Sequence, residues 1–213
     1  MKKRNNSRRL ALLLLGSFVL CTVLVRFVDV RQIGPEGSSV GFAALNGWFH
    51  ALTGVHMALY TVTDWLGLLP LAFLLGFALL GLVQWIKRKR LSQVDRSILV
   101  LGGFYLATLA AYLLFETVVI NYRPVLIGGV LEASYPSSTT MLAMTVMPTT
   151  VLQLRSRLKN KVLCRCVTAL IAMLTAFMVI GRLLSGVHWL TDILGGGLLS
   201  AGLVTMYDSL TRS

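Results

Sequence analysis

Six apolar stretches, each roughly twenty residues long, recur along this chain, and most are flanked at one end by a knot of Lys and Arg. They occupy residues 10–28, 67–86, 97–119, 138–154, 162–180 and 189–207. An α-helix rises 1.5 Å per residue, so a run of ~20 residues crosses the ~30 Å hydrocarbon core of a bilayer. A chain of 213 residues with 56% hydrophobic and 13% charged residues could not hide that much apolar surface as a soluble domain. The expectation is all-α: an integral membrane bundle of six transmembrane helices, forming one domain over residues 1–213.

The formal net charge of +12 might suggest nucleic acid as a partner, but the charges flank apolar runs and form no stripe. Segments 1–9, 87–96, 155–165 and the tail hold five, five, five and one of the basic residues, sixteen of the twenty. The other side holds Arg26, Arg31, Arg123 and Arg182. Cytoplasmic loops are enriched in Lys and Arg, so both termini are expected in the cytoplasm of a plasma-membrane protein. Residues 1–9 are then a basic cytoplasmic tail. The basic start and apolar core of the first run also fit a cleaved signal peptide; its length and the lack of a small-x-small site favour an uncleaved helix.

Residues 29–66 differ in character. Gly34-Pro35-Glu36-Gly37 signals a turn. Beyond it, aromatic and apolar residues mixed with Gly, His and Thr predict one helix lying at the outer interface, anchored by Trp48, Tyr60 and Trp65. His50 and His56 are six apart, which puts them on different helical faces, and no carboxylate or thiol cluster joins them. No metal site is read there. Cys21, Cys164 and Cys166 show neither a disulfide framework nor a zinc pattern.

The polar residues that could do chemistry gather on the side away from the basic loops. His188 and Asp192 are four apart, a spacing that stacks them on one helical face. A carboxylate beside an imidazole fixes its tautomer and raises the basicity of the other nitrogen, as a nucleophile or general base requires. Arg182 reaches the same place if the chain bends at Ser185-Gly186, and Arg123 lies in Asn121-Tyr122-Arg123-Pro124. Two guanidinium groups on one point suit a tetrahedral oxyanion. Ser137 and Ser138 open the fourth run, where the free N–H groups and hydroxyls of a helix N-terminus form an anion seat.

These residues carry a resemblance. Gly181-Arg182, five residues, His188, three residues, Asp192 is similar to the third motif of the type 2 phosphatidic acid phosphatase (PAP2) superfamily of membrane lipid phosphatases, Ser-Arg-x5-His-x3-Asp. Arg123-Pro124 matches the end of the first motif, Lys-x6-Arg-Pro, with Glu116 in place of the lysine. Pro136-Ser137 matches the start of the second, Pro-Ser-Gly-His, which continues here as Ser138 and Thr139. The resemblance runs from about residue 67 onward, a phosphatase-like core of 67–213. It implies that His188 attacks phosphorus and is phosphorylated, that Asp192 orients it, and that Arg123, Arg182 and Ser137 hold phosphate oxygens, with no metal or other cofactor. The family's proton donor falls on Thr139, whose hydroxyl is a poor acid.

The departure at Thr139 shapes the expected function. Loss of a general acid costs ~10²–10⁴ in rate. A departing phosphate, with a second pKa of roughly 6, needs that proton less than a departing alcohol. The sequence therefore leaves three readings: a phosphatase favouring a lipid diphosphate, for which polyprenyl carriers are plausible; one in which Glu116 or Glu132 supplies the proton; or a catalytically impaired protein that binds, scrambles or scaffolds lipid phosphates. Phosphotransfer to another acceptor is not separable from hydrolysis at this stage. The expected partner is a membrane lipid phosphate, met at the outer face. Glu116 itself has two open readings, a proton donor or modulator in the site or a helix-end carboxylate paired with Arg123.

Overall fold

The computed structural model describes residues 2–212; the notional ends at Met1 and Ser213 lie outside the described residues. Long helices dominate: α1 (Lys2–Phe27), α4 (Leu68–Arg88), α5 (Arg96–Thr117), α6 (Ser138–Arg157), α7 (Lys161–Leu184) and α8 (Leu190–Thr211). The basic segment 2–9 forms the first turns of α1. Between α1 and α4 lie a short antiparallel pair, β1 (Arg31–Gln32) and β2 (Ser39–Val40), and two short helices, α2 (Ala43–Thr53) and α3 (Met57–Leu66). The single interfacial helix expected over this region is thus two. The break comes at Gly54, whose φ of 68° ends α2.

Among the described residues, five helices are long and apolar enough to cross a membrane: Arg4–Phe27, Met57–Arg88, Arg96–Thr117, Lys161–Leu184 and Leu190–Thr211. The fourth expected span, α6, does not qualify by composition, and packing explains why. It contacts α4, α5, α7 and α8, and buries Thr140, Thr145, Thr149, Thr150 and Gln153. A helix surrounded by protein can carry hydroxyls that a lipid-facing helix would have to avoid. The Thr149 and Thr150 hydroxyls donate to carbonyls of their own helix, and Tyr105 from α5 lies 3.0 Å from the Thr149 oxygen. The protein is a multi-pass membrane bundle arranged around α6 and α8.

α1 packs along α8 so closely that a Cβ on Gly202 would meet Leu15 at 2.7 Å. At the opposite end of the bundle from the site, Asp95 ties three helices together, accepting from Arg88 at 3.1 Å, Arg157 at 3.4 Å and Gln84 at 2.9 Å. The Gln84 hydrogen bond, with help from the two arginines, holds the Asp95 carboxyl below the usual range. At the site end, Tyr135 stacks on Phe18, meets Phe115 edge-on and shares a 2.8 Å hydrogen bond with Thr22, pinning the loop before α6 to α1.

Candidate active site

The site is assembled at the end of the bundle where α7 stops and α6 and α8 begin. α7 ends just after Arg182, and Gly186 (φ 68°) turns the chain back. His188 follows in that turn, two residues before α8 starts. It is therefore not one helical turn above Asp192, as the spacing predicted. The contact forms because the loop curls over the helix N-terminus, where Asp192 accepts from the Trp189 backbone N–H at 2.8 Å. His188 Nδ1 lies 3.6 Å from Asp192 Oδ2. Ser134 bridges the two: its Oγ is 3.3 Å from Nδ1 and donates a short hydrogen bond to Asp192 Oδ2.

The opposite ring nitrogen, Nε2, lies 3.3 Å from Arg123 Nη1. A guanidinium only donates, so Nε2 is the accepting, unprotonated nitrogen and the ring proton sits on Nδ1. His188 is 3% exposed. Burial pushes its pKa down to about 4; Arg123 and Arg182 reinforce the shift and Asp192 opposes it. The imidazole is neutral at pH 7, with a lone pair on Nε2.

Arg123 also forms a 2.9 Å ion pair with Glu132, although that N–H is not aligned for a hydrogen bond. The two residues face each other across a short antiparallel bridge, with the Arg123 N–H donating to the Glu132 carbonyl. Of the two readings of Glu116, the ion pair with Arg123 is not the one seen, since Arg123 pairs with Glu132. Glu116 sits in the last turn of α5 and lines a small cavity with Tyr112, Ser134, Ser138 and His188.

Arg182 is 1% exposed. Its Nη2 donates to Asp64 Oδ1 at 2.7 Å and to Thr139 Oγ1 at 2.6 Å, and the guanidinium lies 4.7 Å from the centre of the Tyr60 ring. Its Nε and Nη1 are buried without hydrogen-bond partners among the described residues. Unpartnered buried donors of this charge are costly unless an acceptor arrives. Ser137 caps α6, accepting from the Thr140 N–H at 3.4 Å, while its own N–H donates to the Asp192 carbonyl at 3.0 Å. Ser138 is half-buried beside it.

Sequence reasoning missed three groups. Ser134 lies outside every motif. Asp64 and Tyr60 come from α3, over a hundred residues from Arg182; Asp64 was findable as a lone carboxylate in an otherwise apolar segment. The α2 residues His50 and Asn46 turn out to be braces. His50 Nε2 is 3.1 Å from the Gly186 carbonyl, and Asn46 bonds Thr191 in both directions. Among the described residues no group of three or more His, Cys, Asp or Glu could hold a metal ion.

The fold and this cluster define a helical membrane protein with a histidine–arginine site at one end of its bundle. Residues 115–210 match the family model of the PAP2 superfamily, so the resemblance read from the sequence holds over the segment that supplies most of the site. The fold is similar to that of the first transmembrane PAP2 type phosphatidylglycerolphosphate phosphatase from Bacillus subtilis. The two chains share 20% identity at a TM-score of 0.62, over 94% of each. No curated protein matches the chain. The chain thus has a transmembrane PAP2-type phosphatase fold; Asp64 lies outside the matched segment.

Proposed function

We propose that this protein is a membrane lipid phosphatase working through a phosphohistidine on His188. The observation that carries this reading is the buried, neutral imidazole with its free Nε2 toward Arg123, beside the unpartnered donors of Arg182. A phosphoryl group brought here takes the Arg123 Nη1 donor away from Nε2 and fills the donors of Arg182. Nε2 is then free to attack phosphorus, and as the P–N bond forms the P–O bond to the lipid breaks, the lipid alcohol or lipid monophosphate leaving with the bonding electron pair. The proton on Nδ1 stays in the Ser134–Asp192 relay and stabilises the imidazolium character of the phosphorylated ring. Water then attacks phosphorus, the P–N bond breaks with its electron pair returning to Nε2, and inorganic phosphate leaves.

Proton delivery to the departing group sets the substrate preference. Thr139 stands at the position of the family's acid and its oxygen already accepts from Arg182. Neither Glu116 nor Glu132 is bonded to it. A lipid diphosphate, whose leaving phosphate tolerates weak acid assistance, fits this site better than a monoester; a polyprenyl diphosphate is the favoured substrate. Both termini on the cytoplasmic side and the site on the outer leaflet follow from the distribution of basic residues.

The second reading is a non-catalytic protein that binds or scrambles lipid phosphates, and Thr139 is the observation that favours it. The deciding experiment is phosphate release by detergent-purified protein from phosphatidic acid, phosphatidylglycerol phosphate, a polyprenyl phosphate and a polyprenyl diphosphate, with His188→Ala as control. Release that vanishes in His188→Ala supports the enzyme. Binding of these lipids without release by a folded wild type would leave the binder.

A further inference from the structure

A cavity of about 1110 Å³ runs between α4, α5 and α6. Its walls are apolar, with Leu71, Phe77, Leu106 and Met141 among them. Polar side chains gather at one end, where Asp64, Ser138 and Thr139 line it. Two hydroxyls farther along are already engaged, Tyr105 with Thr149 and Thr108 with the Phe104 carbonyl. We propose that this cavity seats the hydrocarbon tail of the lipid whose phosphate meets His188, and that Gly102 and Gly103 keep its far half open for tails longer than one leaflet. The proposal rests on the lipid-phosphatase reading for the identity of the headgroup.

Continuity with the site identifies the occupant. Thr139, at the polar end, is 2.6 Å from Arg182 Nη2, so a phosphate held by Arg182 has its tail directed past Thr139 into the cavity. The cavity's length identifies the kind of tail. Along α5 it extends from Tyr112 to Ile98, roughly 21 Å at the rise of an α-helix. Half the hydrocarbon core is only ~15 Å, the depth that an ordinary acyl chain reaches from its headgroup. Gly102 sits about 15 Å below Tyr112 by the same rise, where such a chain would end.

The glycines are what keep the lower part open. A Cβ on Gly102 or Gly103 would meet nothing within 4 Å, and both residues line the cavity. Side chains there would fill the cavity without disturbing helix packing. Gly81 contrasts with them: its Cβ would meet Ile98 at 3.0 Å, because α4 and α5 close on each other at the cavity floor.

The test is chain-length selectivity in Gly102→Leu and Gly103→Leu, measured with polyprenyl diphosphates that share a headgroup and carry a short farnesyl-type tail or a long polyprenyl tail. Leucine is a better helix former than glycine, so α5 is expected to hold. The expected result is a loss of about tenfold or more in kcat/KM for the long tail, with the short tail unchanged, since a few misplaced methylenes are worth that much in an apolar pocket. Equal effects on both tails, or none on either, would overturn the proposal. A second measurement needs neither variants nor turnover. A long-tail polyprenyl phosphate carrying a photoreactive group at its tail end should label Ile98, Leu99 or Gly102 in the wild type, with labelling competed by unlabelled lipid. Labelling scattered over the outward faces of α7 and α1 would overturn the proposal. Localised labelling without phosphate release would sink the phosphatase reading alone.

Discussion

Arg123 Nη1 lies 3.3 Å from His188 Nε2, a contact that sets the tautomer of the buried imidazole and adds to what keeps it neutral. The donor fixes the lone pair on Nε2. Burial above all, reinforced by the positive charge of Arg123, keeps the ring from protonating until about pH 4. In wild-type protein with labelled histidines, the His188 imidazole should therefore fail to titrate near its ordinary value of 6.5. His188→Gln assigns that signal by removing it. Arg123→Ala takes away a charge that opposes protonation, so the midpoint should rise towards 6.5. The linkage has a definite sign: the unfolded chain binds the proton at a higher pH than the folded one, so stability falls as pH drops from 6.5 towards 4. A midpoint near 6.5 in the wild type would contradict the buried neutral nucleophile.

Asp64 occupies a donor of Arg182 that the proposed phosphate would otherwise fill. Its carboxylate is 2.7 Å from Nη2, with the Asp64 side chain 59% exposed and that of Arg182 1% exposed. Removing it in Asp64→Ala leaves a buried guanidinium short of a partner. The cost is about 1–2 kcal/mol, less than for a fully buried pair because water reaches the carboxylate. The same change frees a donor for oxyanions. Inhibition by orthovanadate should tighten several-fold while the thermal midpoint falls. An unchanged inhibition constant would mean that Asp64 only supports the arginine.

Much of this site was legible because its chemistry is local. Arg182, His188 and Asp192 fall within eleven residues, and the bend at Ser185-Gly186 could be read from the glycine. What stayed hidden depends on elements far apart in sequence. Asp64 reaches Arg182 only because α3 packs on α7, and Ser134 reaches His188 only because the loop before α6 is held by Tyr135 against α1. Hydropathy marked the lipid-facing helices well. It became ambiguous for α6 because that helix meets protein on its neighbours' faces and buries a row of threonines. Spacing alone suggested a helical His188–Asp192 pair; the capping geometry at Trp189 brings the same residues together by another route.

Gly186 should tolerate no side chain. Its φ is 68°, and a Cβ there would meet the Gly54 carbonyl oxygen at 2.0 Å. Gly186→Ala therefore forces apart the α2–α3 junction and the loop carrying His188, at a cost of about 2 kcal/mol. Displacing the nucleophile by ~1 Å lowers turnover on the order of 10²-fold. Thermal unfolding in detergent and single-turnover phosphorylation of His188 would both register the change. Wild-type values for both would show that the loop adapts and does not set the geometry.

Thr139→His offers the most direct test of how this site handles its leaving group. Thr139 shares Arg182 Nη2 with Asp64 and lines the end of the apolar cavity, so under the proposed substrate placement a side chain here would face the bond between phosphorus and the lipid. An imidazole at this position supplies the proton that a hydroxyl cannot. On an alkyl phosphate monoester, whose alkoxide leaves badly, the rate should rise by about 10²-fold. On a diphosphate, where the departing phosphate needs little help, it should change by less than about threefold. The ratio of the two rates is the informative quantity, because a packing defect lowers both together. A rise confined to the monoester would identify proton delivery as what Thr139 lacks. Parallel loss on both substrates would mean that Thr139 serves chiefly to hold Arg182 in place.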